Sequence, residues 1–100
     1  MTHPVPEIRR TEDRVQLVLD AGTPEQRTVG ITPDQALYVS ARAQSTARTW
    51  EGYDHLKFAV TVELETGGTL VVTAAPAQLW KFGLALVRVA RQGPDRVGAA

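Results

Sequence analysis

Apolar and polar residues alternate from Arg14 to Asp20, with Val15, Leu17 and Leu19 on one side and Gln16 and Val18 on the other. That period of two marks a half-buried strand. Ala21 to Gln26 holds Gly22 and Pro24 and reads as a turn. Arg27 to Ile31 follows as a second strand, with Val29 and Ile31 inward. The period then changes. Thr32, Pro33, Asp34 and Gln35 form a capping-box sequence with proline at the first helical position. The helix they open runs to about Arg48, with Ala36, Val39, Ser40, Ala43 and Ala47 inward and Trp50 a further candidate for that face. Tyr38, Arg42, Ser45 and Thr49 fall on the opposite side.

The second half repeats the first. Leu56 to Leu64 alternates as a strand, with Phe58, Val60, Val62 and Leu64 inward. Glu65-Thr66-Gly67-Gly68 is a hairpin turn, because glycine accepts positive φ. Thr69 to Thr73 returns as a fourth strand. After Pro76 a helix runs from about Ala77 to Arg91, with Leu79, Phe82, Gly83, Leu86, Val89 and Ala90 inward, and Gly93-Pro94 stops it. Ala75 is a poor cap, so this helix start needs another acceptor, such as Thr73 or water.

A shift of 43 residues superposes 15–48 on 58–91 with six identities, among them Pro33 on Pro76, Gln35 on Gln78 and Arg48 on Arg91. The shared period, turn and helix start carry more weight than the identities. Two copies are too few for a solenoid, so the expectation is a pseudo-two-fold ββαββα domain of class α+β. Its expected sheet is single, four-stranded and mostly antiparallel, with both helices on one face. Residues 1–13, with Pro4 and Pro6, read as a flexible, extended arm, 14–92 as the single domain and 93–100 as a tail.

Composition narrows the chemistry. One hundred residues with 43% hydrophobic and 22% charged suit one small soluble globular domain. There is no cysteine for a disulfide, a thiolate metal site or a nucleophile. No apolar run has bilayer length and the N-terminus does not read as a signal peptide, which gives a cytoplasmic expectation. The two histidines, His3 and His55, lie in the arm and the linker, far from Ser40 and Ser45 in the pattern. No nucleophile, metal cluster or phosphate loop is assembled by spacing, so neither catalytic residues nor cofactor nor metal are expected.

Binding remains. The second helix is apolar beyond its inward stripe: Trp80, Leu84 and Val87 widen it, and Arg88 and Arg91 rim it. An apolar flank rimmed by arginine has the make-up of a protein interface. The linker adds Trp50, Tyr53 and His55 around Gly52. The expectation is a non-enzymatic protein-binding module that forms a homodimer and meets a partner through these eight residues. The alternative is nucleic-acid binding through Arg42, Arg48, Lys81, Arg88 and Arg91. The outward strand positions speak against base stacking: Gln16, Val18, Thr28, Ala59, Thr61, Glu63, Thr69, Val71 and Thr73 include no aromatic residue. They are better suited to meeting another sheet. A small-molecule enzyme ranks third.

Overall fold

The computed structural model of the chain describes residues 2–92. Its elements are β1 (Thr2–His3), β2 (Glu7–Arg10), β3 (Val15–Leu19), β4 (Arg27–Ile31), α1 (Pro33–Thr49), β5 (Phe58–Glu63), β6 (Thr69–Ala74) and α2 (Pro76–Gln92). The class is α+β, with two helices and two sheets among the described residues. The expected tail at 93–100 and the Gly93-Pro94 stop lie outside the described residues.

Local chemistry sets the element starts. The Gln35 amide donates to Thr32 Oγ1 at 3.0 Å, and the Thr32 amide donates to Gln35 Oε1 at 2.9 Å. Two amides that the first turn would leave orphaned are thereby satisfied reciprocally. Gly67 takes φ 94° in the second hairpin turn, where a side chain would be strained.

The repeat holds rung by rung. The first hairpin pairs Val15 with Ile31, Leu17 with Val29 and Leu19 with Arg27. The second pairs Phe58 with Ala74, Val60 with Val72 and Val62 with Leu70. Adding 43 to each number of the first set gives the second. Ala36, Val39, Ser40, Ala43 and Ala47 are the buried residues of α1. Their counterparts Leu79, Phe82, Gly83, Leu86 and Ala90 are all buried in α2. The packing is also reciprocal. α1 rests on β5, and α2 rests on β3 and its neighbour β2, so each helix covers the other unit's first strand. Reciprocal contact between equivalent patches is the mark of a two-fold relation.

The helices cross at equivalent positions. Ser40, wholly buried, donates its hydroxyl to the Gly83 carbonyl, and Gln44 Nε2 donates to Ser40 Oγ at 2.9 Å. A Cβ at Gly83 would stand 2.8 Å from Gln44 Cγ and 3.1 Å from the Ser40 carbonyl oxygen. The glycine therefore lets the two helix backbones approach as closely as they do. One core cluster spans both units, and Leu17, Ile31, Val62, Leu79, Phe82 and Leu86 belong to it. Each such side chain contributes about 1.5–3 kcal/mol on leaving water.

The sheet differs from expectation. The hairpins do not join in one four-stranded sheet; the strand orders are β1-β6-β5 and β2-β3-β4. The N-terminal segment adds one strand to each sheet. It is not a free arm: Thr2 and His3 pair parallel to Val71 and Val72, and Glu7–Arg10 pairs antiparallel to Val15–Val18. Residues 2–10 thus take an edge of β6 and then an edge of β3. Proline has no amide to donate, so Pro4 and Pro6 interrupt the strand between the two pairings. The flanking strands also correct the expected open face. Val18 is buried, and Val71 and Thr73 are half-buried, while Ala59, Thr61 and Glu63 stay exposed.

An ion pair joins the units at their far end, where Arg14 Nε donates to Glu65 Oε2 at 2.7 Å. Glu65 raises the Arg14 pKa further above its already high value, first through this hydrogen bond and then through its charge. Both side chains are part-exposed, so the contact adds little stability.

The helix crossing generates a direct test. Gly83→Val should destabilise the domain by about 2 kcal/mol through overpacking. The thermal midpoint should fall by about 10 °C. An unchanged midpoint would mean that the helices do not meet closely at this residue.

Candidate functional site

The end of α1, the linker and the start of α2 enclose a cleft of about 550 Å3. Ala47 and Arg48 come from α1, Glu51, Gly52 and Asp54 from the linker, and Pro76, Ala77, Trp80 and Lys81 from α2. Each wall has a local cause. The Trp50 amide closes α1 by donating to the Thr46 carbonyl at 3.1 Å. Gly52, at φ 93°, reverses the chain, and the Tyr53 amide donates to the Trp50 carbonyl at 3.0 Å. The linker then returns to α2: Asp54 Oδ1 accepts from the Ala77 amide at 3.3 Å. That carboxylate supplies the helix start that Ala75 cannot cap, and its charge suits the positive helix end.

Trp80 forms the inner wall. Its ring is half-buried against the core, and the Arg48 guanidinium lies 5.8 Å from its centroid. The same ring reaches a second groove, along α1, beside Ala41, Gln44 and Ser45. Trp80 therefore lies where the cleft and the inter-helix groove meet. Arg48, Lys81, Glu51 and Asp54 are its charged lining, and among the described residues no serine, threonine or histidine lines it. This lining suits recognition by an aromatic face and charged groups; it holds no nucleophile with a base beside it. Among the described residues, no three His, Asp or Glu side chains converge as a metal site would need.

The structure distributes the eight expected partner-binding residues over four places. Trp80 lines the cleft with Glu51, Gly52 and Asp54. Trp50, Tyr53 and His55 instead form a separate ledge. Trp50 stacks on Phe58 with centroids 5.0 Å apart, Tyr53 meets Trp50 edge-on at 5.7 Å, and His55 tilts against Tyr53 at 6.2 Å. The ledge stays open to solvent at Trp50, Tyr53 and the adjoining Leu56. Leu84 is 47% exposed on the outer side of α2, with Val87 half-buried beside it and Arg91 exposed two turns on. Arg88 turns away and lines a groove against Val5, Pro6 and Ile8.

Sequence reasoning missed Asp54 as an anchor and Glu51 as a cleft wall. The poor cap at Ala75 was the available signal, since an uncapped helix start requires an acceptor from elsewhere. It did not reveal which of eleven acids would arrive. No family model matches this chain, and no curated protein or solved structure does either.

Asp54 gives the site its test. Asp54→Ala should speed amide exchange at Ala77 about fivefold, the equivalent of a cap worth about 1 kcal/mol. An unchanged rate at Ala77 would show that the linker is not tied to α2.

Proposed function

We propose that the chain is a non-enzymatic protein-interaction module acting in the cytoplasm, assembling with a second copy through the outer side of its helix pair. The observation that carries this reading is the stripe on α2. Leu84 is exposed on it, with Trp80 and Val87 half-buried alongside. Arg48 and Arg91, both exposed, stand at the two helix ends. An apolar centre with a cationic rim is the anatomy of an interface, in which a few aromatic and arginine residues supply most of the affinity. No helix among the described residues is long and apolar enough to cross a membrane.

Charge adds a condition. The helices carry five of the eleven basic residues, Arg42, Arg48, Lys81, Arg88 and Arg91, and one of the eleven acidic residues, Asp34. The neutral chain is therefore divided into a helix layer of net +4 and a remainder of net −4. Two such layers facing each other repel, so self-association through the stripe should tighten as salt screens the arginines. This same charge supports nucleic acid as the second reading, with the opposite salt dependence.

Light scattering after size exclusion separates these. The wild type should run as a dimer that tightens with salt. Leu84→Glu should run as a monomer with unchanged circular dichroism, its dimer at least about 30-fold weaker. Equal masses for both proteins would remove the stripe from the interface. Nucleic-acid absorbance in the peak, lost with salt and weakened by Arg88→Ala or Arg91→Ala, would favour the second reading.

A further inference from the structure

β3 and β5 are equivalent strands, yet among the described residues only β3 has a neighbour on each side. β2 lies along its outer edge, with Glu7 opposite Val18, Ile8 opposite Leu17 and Arg9 opposite Gln16. β5 pairs with β6 alone. Beside β5, where the counterpart of β2 would lie, is a groove of about 250 Å3. Gln35, Tyr38, Val39 and Arg42 of α1 form one side and Thr61 and Glu63 of β5 the other. No residue of β6 lines it, which places the groove at the free edge. The helix residues 43 positions later are Gln78, Lys81, Phe82 and Ala85. All four line the groove of α2 along the N-terminal segment, with Val5, Pro6 and Ile8. The same four helix positions therefore accompany a strand in one unit and an empty edge in the other.

We propose that the β5 groove docks an extended segment of a partner protein, which adds to the sheet antiparallel to β5 as β2 adds to β3. The edge suits strand addition. It pairs continuously with β6 over six residues, so it has no bulge, and it contains no proline. β4, the other free hairpin edge, is shorter and contains Gly30. A second copy's β5 does not fit the groove. Paired strands lie about 4.8 Å apart. Packed helices need about 8–10 Å. Two β5 strands paired antiparallel would bring together the α1 helices that cover them.

The register of β2 gives the chemistry of the occupant. Pro6 is buried and Ile8 half-buried, while Glu7 and Arg9 are exposed. The docked segment accordingly carries an apolar residue opposite Val60 and polar residues opposite Ala59 and Thr61. Opposite Phe58 and Val62, which pack with Val60 on the core side, it also carries apolar residues, although β2 places Arg10 at the position equivalent to that opposite Phe58. Opposite Glu63 it carries lysine or arginine, since Asp34 and Glu63 outnumber Arg42 along the groove and Arg42 lies 5.9 Å from the Tyr38 ring centroid. This names the partner class for the interaction reading above and uses a surface separate from the Leu84 stripe.

The test uses the full chain and a fluorescein-labelled peptide, Lys-Val-Thr-Val-Thr-Val, followed by anisotropy and by amide shifts. Saturable binding is expected, with shifts along β5 and from Tyr38 to Arg42. Glu63→Lys should weaken binding about two- to fivefold, and a peptide with glutamate in place of its lysine should recover that loss. Leu84→Glu should bind the peptide as the wild type does, so failure of the stripe and failure of the groove are read separately. No binding at millimolar peptide, shifts confined to β4 or the helix stripe, or indifference to charge at 63 would each overturn the proposal. Shifts along β5 on concentrating the chain alone would give the groove to a second copy and overturn it equally.

Discussion

The close contact of α1 and α2 at Ser40 and Gly83 is the constraint on which the rest of this structure depends. These two residues occupy the same position in their respective units, and they touch through a hydroxyl and a backbone carbonyl. A small residue on each side lets the helices meet closely, and the missing Cβ at Gly83 is essential to that approach. With the crossing fixed, each helix lies over the first strand of the other unit. Neither hairpin keeps its own helix to itself. A two-stranded hairpin is at best marginal alone. The exchange of helix cover makes the two units one cooperative core.

The N-terminal segment then breaks the symmetry that the repeat creates. It pairs with β6 through Thr2 and His3 and with β3 through Glu7–Arg10. Among the described residues it is the strand connection between two sheets that do not pair directly. It closes the edge of β3, and no described strand does the same at β5. The two strands it adds to the pseudo-symmetric fold leave the two equivalent edges, at β4 and at β5, unpaired among the described residues. The edge at β5 adjoins α1, in a groove with hydroxyl, aromatic and charged groups.

Much of this could be read from residue order, and the parts that could not share a cause. Both helix faces follow from spacing, because burial of Ala36, Val39, Ser40, Ala43 and Ala47 needs only the helical period. The capping box at Thr32 is local chemistry and forms as the residues imply. Hairpin register follows from turn length and alternation. The joining of strands at sheet edges is different. It depends on where a segment with no period of its own comes to rest. Glu7-Ile8-Arg9-Arg10 carries one apolar residue, so its place beside β3 left no sequence signal, and the burial of Val18 beneath its neighbours was hidden with it. The candidate site shows the same limit. Trp80 and the linker were both conspicuous, but it took the Asp54 contact with Ala77 to bring the linker's carboxylates to Trp80, while Trp50 and Tyr53 were held on Phe58 instead.

Unequal edges on equal strands are the central claim, and amide hydrogen exchange in the free, dilute chain tests it directly. Amides of β3 should be protected along the whole strand, since β2 and β4 flank it. In β5, alternate amides should be protected by β6 and the intervening ones should exchange far faster, because their edge is open. Uniform protection along β5, equal to that of β3, would contradict the account: the strand position beside α1 would then be filled, and the groove would not be a docking site.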